Sequence, residues 1–160
     1  MKRDSNRACF ALFFGFFLLG AVRLYAAPPP FQSGMPPIKE SRAYKTFLMR
    51  PYSELSKIVF LTDRFKEAKI KVIYDGLHFE PEFAVRIAKW FLSQHYRKES
   101  AKEWIMVYCN QSLFEHQLIW AMDKKGDFKL SREVLMTELK ALEETCEQDL
   151  NCKGKKKPSA

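Results

Sequence analysis

The residues of this sequence best suited to chemistry are its three histidines and the three cysteines that follow an N-terminal apolar stretch. His78, His95 and His116 each lack a second histidine or cysteine three or four residues away, which a zinc-binding helix requires. Cys146 and Cys152 are too far apart for a zinc ribbon, and the second cysteine pair of such a site is missing. The sequence therefore predicts no metal site, and no glycine-rich phosphate loop indicates a cofactor.

Cys109 is the candidate nucleophile. A catalytic cysteine needs a histidine base that is near in space but not in sequence, so His78 or His116 could serve. The alternative is structural, because Cys109 shares a predicted helical face with Trp104 and Tyr108, and a buried thiol behaves as a small hydrophobic group. An enzyme that uses Cys109 with a histidine is thus the alternative to a protein without catalysis.

A series of aromatic residues could form a binding site of another kind. They recur at helical spacing and could line a ligand groove: Phe83, Trp90, Phe91, Trp104 and Tyr108. The same spacing is more often typical of a hydrophobic core. The sequence favours the core interpretation.

These residues belong to one predicted α+β domain over residues 53–147, with elements in the order α-β-β-α-α-β-β-α. Capping and apolar periodicity predict the four helices. Ser53 and Ser131 are expected to cap the first and last helix, and Ser100 with Glu103 forms a capping box before the third. The second helix opens at Glu80-Pro81-Glu82, and its predicted apolar face comprises Phe83, Ala84, Ile87, Ala88, Trp90 and Phe91.

Two hairpins supply the strands. Residues 69–74 alternate and are β-branched, Asp75-Gly76 is typical of a two-residue type I′ turn, and residues 77–79 return. Residues 118–122 and 128–130 form the second hairpin. We expect both hairpins to join one antiparallel sheet covered by helices.

The N-terminus has the order of a secretory signal peptide. Basic residues at 2–7 precede an apolar stretch of 15 residues at 8–22, and Ala26-Ala27 supplies small residues for cleavage. This predicts a signal peptide over residues 1–26 and an exported protein, periplasmic or secreted. The alternative is an uncleaved anchor in the inner membrane, since residues 8–27 would just span a bilayer at 1.5 Å per residue.

Net charge excludes one class of partner. The chain carries +8 at pH 7, of which +3 belongs to residues 1–27 and +4 to the lysines of residues 153–160. The remaining +1 on residues 28–152 is too small for a nucleic-acid-binding surface. The Lys-rich tail over residues 148–160 is expected to be solvated, and its lysines could make weak contact with anionic surfaces.

Residues 27–52 are rich in proline and precede the predicted domain. Their composition indicates an extended linker. Alternatively, they form a strap that packs along the domain through its large apolar groups: Phe31, Tyr44, Phe47 and Leu48. The sequence leaves both possibilities open.

Residues 53–145 resemble a family of small exported bacterial proteins that is known only as a domain of unknown function. The likeness rests on three short motifs. These are Tyr74-Asp75-Gly76, Glu103-Trp104-Ile105 with Cys109 and Ser112 behind it, and Glu133-Val134-Leu135 with Glu138-Leu139. The resemblance implies export and a fold of helices and hairpins, and it implies no activity.

Export would place Cys109, Cys146 and Cys152 in a space where disulfides form and persist. Three cysteines cannot all pair within one chain. Because Cys146 falls at the predicted end of the last helix, where residues 148–151 can turn the chain back, the sequence predicts a Cys146–Cys152 bridge with Cys109 reduced. A Cys109–Cys146 bridge is the main rival.

The sequence as a whole favours a non-enzymatic accessory or interaction module of the cell envelope. Its partner would be an envelope protein or surface of unknown identity, and no nucleic acid is expected to bind. The competing class is the small envelope enzyme based on Cys109.

The first testable prediction concerns the N-terminus. We expect the mature protein recovered from cells to begin near Ala27, because small residues precede the rigid Pro28 at the end of the apolar stretch. Intact-mass measurement of the recovered protein checks this. A membrane-bound species that retains residues 1–22 would show instead that the segment is an anchor.

Overall fold

The structure, a computed structural model, describes residues 34–149 and Cys152. A single 3-10 turn at Ile38–Glu40 comes first, and five helices and four strands follow in the described part. The helices are α1 (Arg42–Leu48), α2 (Glu54–Ala68), α3 (Pro81–His95), α4 (Ala101–Tyr108) and α5 (Ser131–Gln148). The strands are β1 (Lys71–Tyr74), β2 (Leu77–Phe79), β3 (Trp120–Met122) and β4 (Phe128–Leu130).

The four strands form one antiparallel sheet in the order β2-β1-β3-β4. The two predicted hairpins are therefore neighbours in a single sheet, with β1 paired to β3 between them. The α+β class is confirmed, and the predicted order of elements broadly matches. The predicted signal peptide over residues 1–26 and the tail from residue 153 lie outside the described residues.

Helix starts follow the local capping chemistry in two of the three predicted cases. The Ser53 side chain caps α2 by accepting a hydrogen bond from the backbone amide of Ser56 at 3.2 Å. The Ser56 hydroxyl in turn accepts a hydrogen bond from the backbone amide of Ser53. Ser100 and Glu103 form the predicted capping box of α4. The prediction that Ser131 caps α5 is wrong: it is the first helical residue, and its buried hydroxyl has no hydrogen-bond partner.

The β1–β2 turn has the predicted geometry. Asp75 and Gly76 both have positive φ, at 49° and 73°, and Tyr74 pairs with Leu77 across the turn. Positive φ at both central positions is the type I′ requirement, which glycine meets without a steric penalty.

Each face of the sheet has a different environment. Cross-strand partners point to the same face, so Val72, Phe79, Ala121 and Lys129 share one face, and Ala121 is fully buried there. Val72 and Ala121 belong to the core that the helices complete. The other face carries the remaining cross-strand sets, which are His78–Ile73–Trp120–Leu130 and Lys71–Met122–Phe128.

Helix α1 lies in the region that composition marks as linker or strap. Its Tyr44 and Phe47 are 3% exposed and contribute to the core, where the Phe47 and Phe60 rings lie 5.6 Å apart. No helix was predicted here, because the apolar residues are few and the periodic segment is only seven residues long. Packing against α2 stabilises a helix that is too short to be stable alone.

Helix α3 has its predicted start but buries a different face. Pro81 occupies the first turn, and the residues facing the core are Val85 and Leu92. The predicted apolar face is wrong for Phe83, Ile87 and Trp90, which are exposed. At 100° per residue these three lie on the side of the helix opposite Val85 and Leu92.

Two basic side chains of α2 are buried against acids of α5. Arg64 is 2% exposed, its Nε donates to Glu138 at 2.9 Å, and its Nη2 donates to the Pro36 carbonyl at 2.7 Å. Lys57 contacts Glu143 and Glu54, each at 2.8 Å. Burial alone lowers the pKa of Lys57, but hydrogen bonds to the two carboxylates raise it above its ordinary value. Lys57 therefore stays charged inside the helical layer.

Among the described residues, no helix is both long and apolar enough to cross a membrane.

A substitution in the hairpin turn tests the β1–β2 connection. We expect Gly76→Val to lower the free energy of unfolding by about 1 kcal/mol or more, because a β-branched residue resists positive φ. Gly76→Asn is the matched control and should lower it less, since asparagine tolerates this conformation. Urea denaturation measures both variants. A Gly76→Val midpoint equal to the wild type would contradict the turn assignment.

A double-mutant cycle tests the buried ion pair. We expect Glu138→Leu to destabilise the protein by about 3 kcal/mol, because it leaves the Arg64 guanidinium buried without its carboxylate. The double variant Arg64→Met with Glu138→Leu should lose less stability than the two single losses combined. Chemical denaturation of all four proteins gives the coupling energy, and strictly additive losses would show that the pair is not coupled.

Candidate docking surface

The sheet face that points away from the core is apolar. We define the open sheet face as Ile73, Trp120, Met122, Phe128 and Leu130, which lie on the central and β4 strands. Trp120 is 37% exposed and Phe128 is 56% exposed, and the other three are half-buried. None of the five belongs to the core or packs against it.

This arrangement departs from the usual pattern of an antiparallel sheet. A sheet with one solvated face normally alternates apolar and polar residues. Here β3 carries Trp120 and Met122 outward and Ala121 inward, so both of its faces are apolar. Exposed large apolar groups on neighbouring strands make this face a candidate interaction site.

Polar groups border the open sheet face on the β1–β2 side. His78 on β2 is the cross-strand partner of Ile73, and it is exposed. Lys71 is the partner of Met122, and its ammonium group forms an ion pair with Glu80. An apolar centre with a polar rim is the usual anatomy of a protein–protein interface.

Helix α3 carries a second set of exposed apolar side chains. Phe83, Ile87 and Trp90 are 40%, 47% and 62% exposed and follow one line along the helix. Phe83 is partly covered, since its ring stacks on Phe79 at 5.7 Å and the Arg86 guanidinium lies 5.1 Å from it. The apolar surface formed by these three residues is narrower than the open sheet face, and the Arg86 guanidinium lies over the Phe83 ring at one end of it.

The predicted aromatic series is split in two by the fold. Phe91, Trp104 and Tyr108 pack together between α3 and α4, with Trp104 and Tyr108 rings 4.3 Å apart and Phe91 and Tyr108 rings 5.3 Å apart. Phe83 and Trp90 are exposed on the outer side of α3. The core interpretation therefore holds for Phe91, Trp104 and Tyr108. The five residues do not come together to line one groove.

Cys109 is positioned as a structural residue. It is the C-terminal cap of α4, it packs against the core, and burial raises the pKa of its thiol to about 12. At neutral pH such a thiol carries almost no reactive thiolate. No hydrogen bond joins it to a histidine among the described residues. His78 lies on the sheet, and His95 stacks on Phe91 at 4.2 Å.

Cys146 and Cys152 both belong to the buried core and are not bonded covalently. Both are free thiols that are 4% exposed, and no disulfide-length contact joins them. Burial, followed by a hydrogen bond with Cys152, raises the pKa of the Cys146 thiol to about 12. The structure contains no bridge between them, and the Cys146–Cys152 bridge stays a prediction.

A shallow groove between α2, α4 and α5 offers no clear chemistry. Its volume is about 690 Å³, and its lining includes Lys57, Glu54 and Glu143. These three charges already satisfy one another. No group of three or more possible metal ligands occurs in the part of the chain that the structure describes.

Comparison with known proteins gives no relative from which a role could be transferred. No family model, no curated protein and no solved structure matches this chain. The resemblance to exported proteins of unknown function therefore stays a prediction from the sequence motifs.

Proposed function

We propose that this chain is an exported accessory module of the cell envelope that binds another protein through the open sheet face. The single observation that carries the proposal is the apolar outer face of the sheet, with Trp120 at its centre. Burying aromatic and aliphatic groups of this kind supplies most of the binding energy at protein interfaces. The signal-peptide pattern over residues 1–26 supports an envelope location.

The size of the open sheet face indicates what occupies it. Four neighbouring strands of three or four residues span roughly 14 Å by 10 Å. A stable dimer needs about 800 Å² from each partner, which is several times the plane of this sheet. A second copy of the chain, which would have to form a stable dimer through this face alone, is therefore disfavoured, whereas a weaker, transient contact with a short segment is compatible with this area.

A short amphipathic segment fits these dimensions. An α-helix with its side chains is about 10 Å in diameter, so two or three turns would cover the sheet. Its apolar stripe would pack on Trp120 and Phe128, while its polar side would face solvent and the rim at His78. We commit to an amphipathic helix of a partner protein as the occupant.

The enzyme alternative has less support. Its nucleophile would be Cys109, whose thiol is enclosed by core groups and has a raised pKa. Both properties oppose nucleophilic attack at neutral pH. By contrast, binding through the sheet requires no rearrangement of the described residues.

Site-specific photo-crosslinking in intact cells tests the proposal. A photoreactive amino acid replaces Phe128 on the open sheet face, and in a matched control it replaces Val107, which is 60% exposed on α4. We expect position 128, but not 107, to link to an amphipathic segment of one envelope protein. A synthetic peptide of that segment should then bind the purified protein, and Trp120→Ser should weaken binding about tenfold or more.

Each other outcome of this experiment contradicts the proposal. An adduct of the chain with itself would indicate a dimer, and an adduct with lipid would indicate a membrane surface. Equal labelling at 128 and 107, or labelling at neither, would mean that the face has no specific partner. The thermal midpoint of Trp120→Ser, compared with that of Phe128→Ser, shows whether weaker binding reflects lost folding.

A further inference from the structure

We propose that the outer face of α3, defined as Phe83, Ile87 and Trp90, binds the surface of an anionic lipid bilayer. These three side chains enter the bilayer at the level of the headgroups, and Arg86 pairs with a lipid phosphate. The proposal rests on the exposure of the apolar residues and on the positive charge beside them. It is independent of the binding role assigned to the open sheet face.

The outer face of α3 continues onto the neighbouring strand. Phe83 and Trp90 are exposed and lie about 10 Å apart along the helix axis, with Ile87 exposed between them. The Phe83 ring stacks on Phe79 of β2. Leu77 is 63% exposed and points to the same side of β2 as Phe79, because side chains two residues apart share one side of a strand. Four large exposed apolar side chains therefore belong to α3 and the adjoining side of β2.

The residue types on the outer face of α3 suit a membrane interface. Tryptophan is enriched at the level of the headgroups, because its ring has an apolar body and a polar N–H group. A helix that lies in the interface inserts an apolar stripe roughly 5–10 Å deep and has basic residues on its polar side. A stripe one residue wide is enough for this insertion, whereas a stable protein interface needs about 800 Å² from each partner. A bilayer is therefore the occupant that this narrow face fits best.

The segment that carries this face also carries an excess of positive charge. Residues 81–99 contain four basic and two acidic residues, a net charge of +2. Residues 28–152 together carry +1, so the rest of that span carries −1. Arg97 and Lys98 follow directly after α3, and both are exposed. An anionic bilayer attracts basic side chains near its surface, so the charge of this segment complements it.

Arg86 is the basic residue best placed to contact a lipid headgroup. Its guanidinium lies 5.1 Å from the centroid of the Phe83 ring, and it forms no ion pair within the described part of the chain. Lys89, by contrast, is ion-paired with Asp63 of α2. A guanidinium binds phosphate through two parallel hydrogen bonds, and the apolar stem of arginine can lie along apolar surface. Phe83 can thus enter the bilayer while Arg86 stays among the phosphates.

Helix α3 and the open sheet face lie on opposite sides of the sheet. Phe79, which stacks on Phe83, shares its side of the sheet with Val72 and Ala121 of the core. Trp120 points to the other side. A bilayer bound to α3 would therefore leave Trp120 accessible to a partner protein, and each surface can be tested without changing the other.

Fluorescence quenching by brominated lipids tests where the bilayer binds. The protein recovered from cells is mixed with vesicles of phosphatidylglycerol and brominated phosphatidylcholine, whose bromine atoms quench tryptophan fluorescence inside the bilayer. We expect quenching in the wild type and in the matched control Trp120→Phe, and loss of quenching in Trp90→Phe. Trp104 is buried and remains in all three proteins.

Vesicle co-sedimentation measures how strongly the protein binds. We expect Ile87→Ser to weaken binding to phosphatidylglycerol vesicles about tenfold, because it removes an inserted apolar side chain. Val107→Ser on α4, which is also exposed, is the matched control and should bind like the wild type. Arg86→Gln should weaken binding about fivefold and reduce its dependence on salt. Thermal midpoints of the variants show whether weaker binding reflects lost folding.

Several results would overturn the proposal. Wild-type protein without quenching would show that Trp90 does not enter the bilayer, and binding through the Lys-rich tail alone would give this result. Quenching that is lost in Trp120→Phe would place lipid on the open sheet face. Equal binding to vesicles of phosphatidylcholine alone would exclude the role of charge. If the recovered protein keeps residues 1–22, that segment holds it in the vesicle, and the quenching of Trp90 alone decides.

A photoreactive amino acid at position 87 separates lipid from protein as the occupant in intact cells. We expect an adduct with phospholipid at position 87 and none at position 107. An adduct of position 87 with another protein would overturn the proposal, and the result obtained at position 128 of the open sheet face would stand by itself.

Discussion

The helical layer of this protein depends on the buried ion pair between Arg64 and Glu138. The guanidinium of Arg64 is 2% exposed and also donates to the carbonyl of Pro36, so one side chain connects α2, α5 and the N-terminal segment. Removing either partner would leave a charge in a medium that solvates it poorly. This ion pair sets the position of α5 against α2. A second ion pair, between Lys57 and Glu143, joins the same two helices seven residues earlier along α2.

The position of the helices determines which sheet face is open. Helices α3 and α5 contact the strands, and the core groups of the sheet are Val72 and Ala121. The described strands are too short for the sheet to curl and cover its own outer side. Trp120 and Phe128 consequently remain at the surface, although their chemistry is that of core residues. The proposed interaction module would account for this exposure, whereas a catalytic role for Cys109 would require an accessible thiol.

Local features of the fold were predictable because they depend on neighbours in the chain. The Asp75-Gly76 turn, the Ser53 cap and the capping box at Ser100 each involve groups that are within a few residues of one another. Steric limits on φ and the unpaired amides of a helix start act at this range. The α+β class follows from the resulting order of helices and hairpins.

What the sequence alone determined is therefore the order of elements, the two hairpins and the absence of a recognisable catalytic motif. Only the tertiary structure decided which residues that are far apart in the sequence come into contact. Periodicity marked Phe83, Ile87 and Trp90 as a core face, yet packing buries Val85 and Leu92, because the broad apolar surface of α3 contains two possible faces. Composition could not show that Arg64 is buried, since a charge becomes stable inside only when a partner such as Glu138, 74 residues away, arrives with it. The open sheet face likewise depends on the register in which the two hairpins pair, which no local pattern specifies.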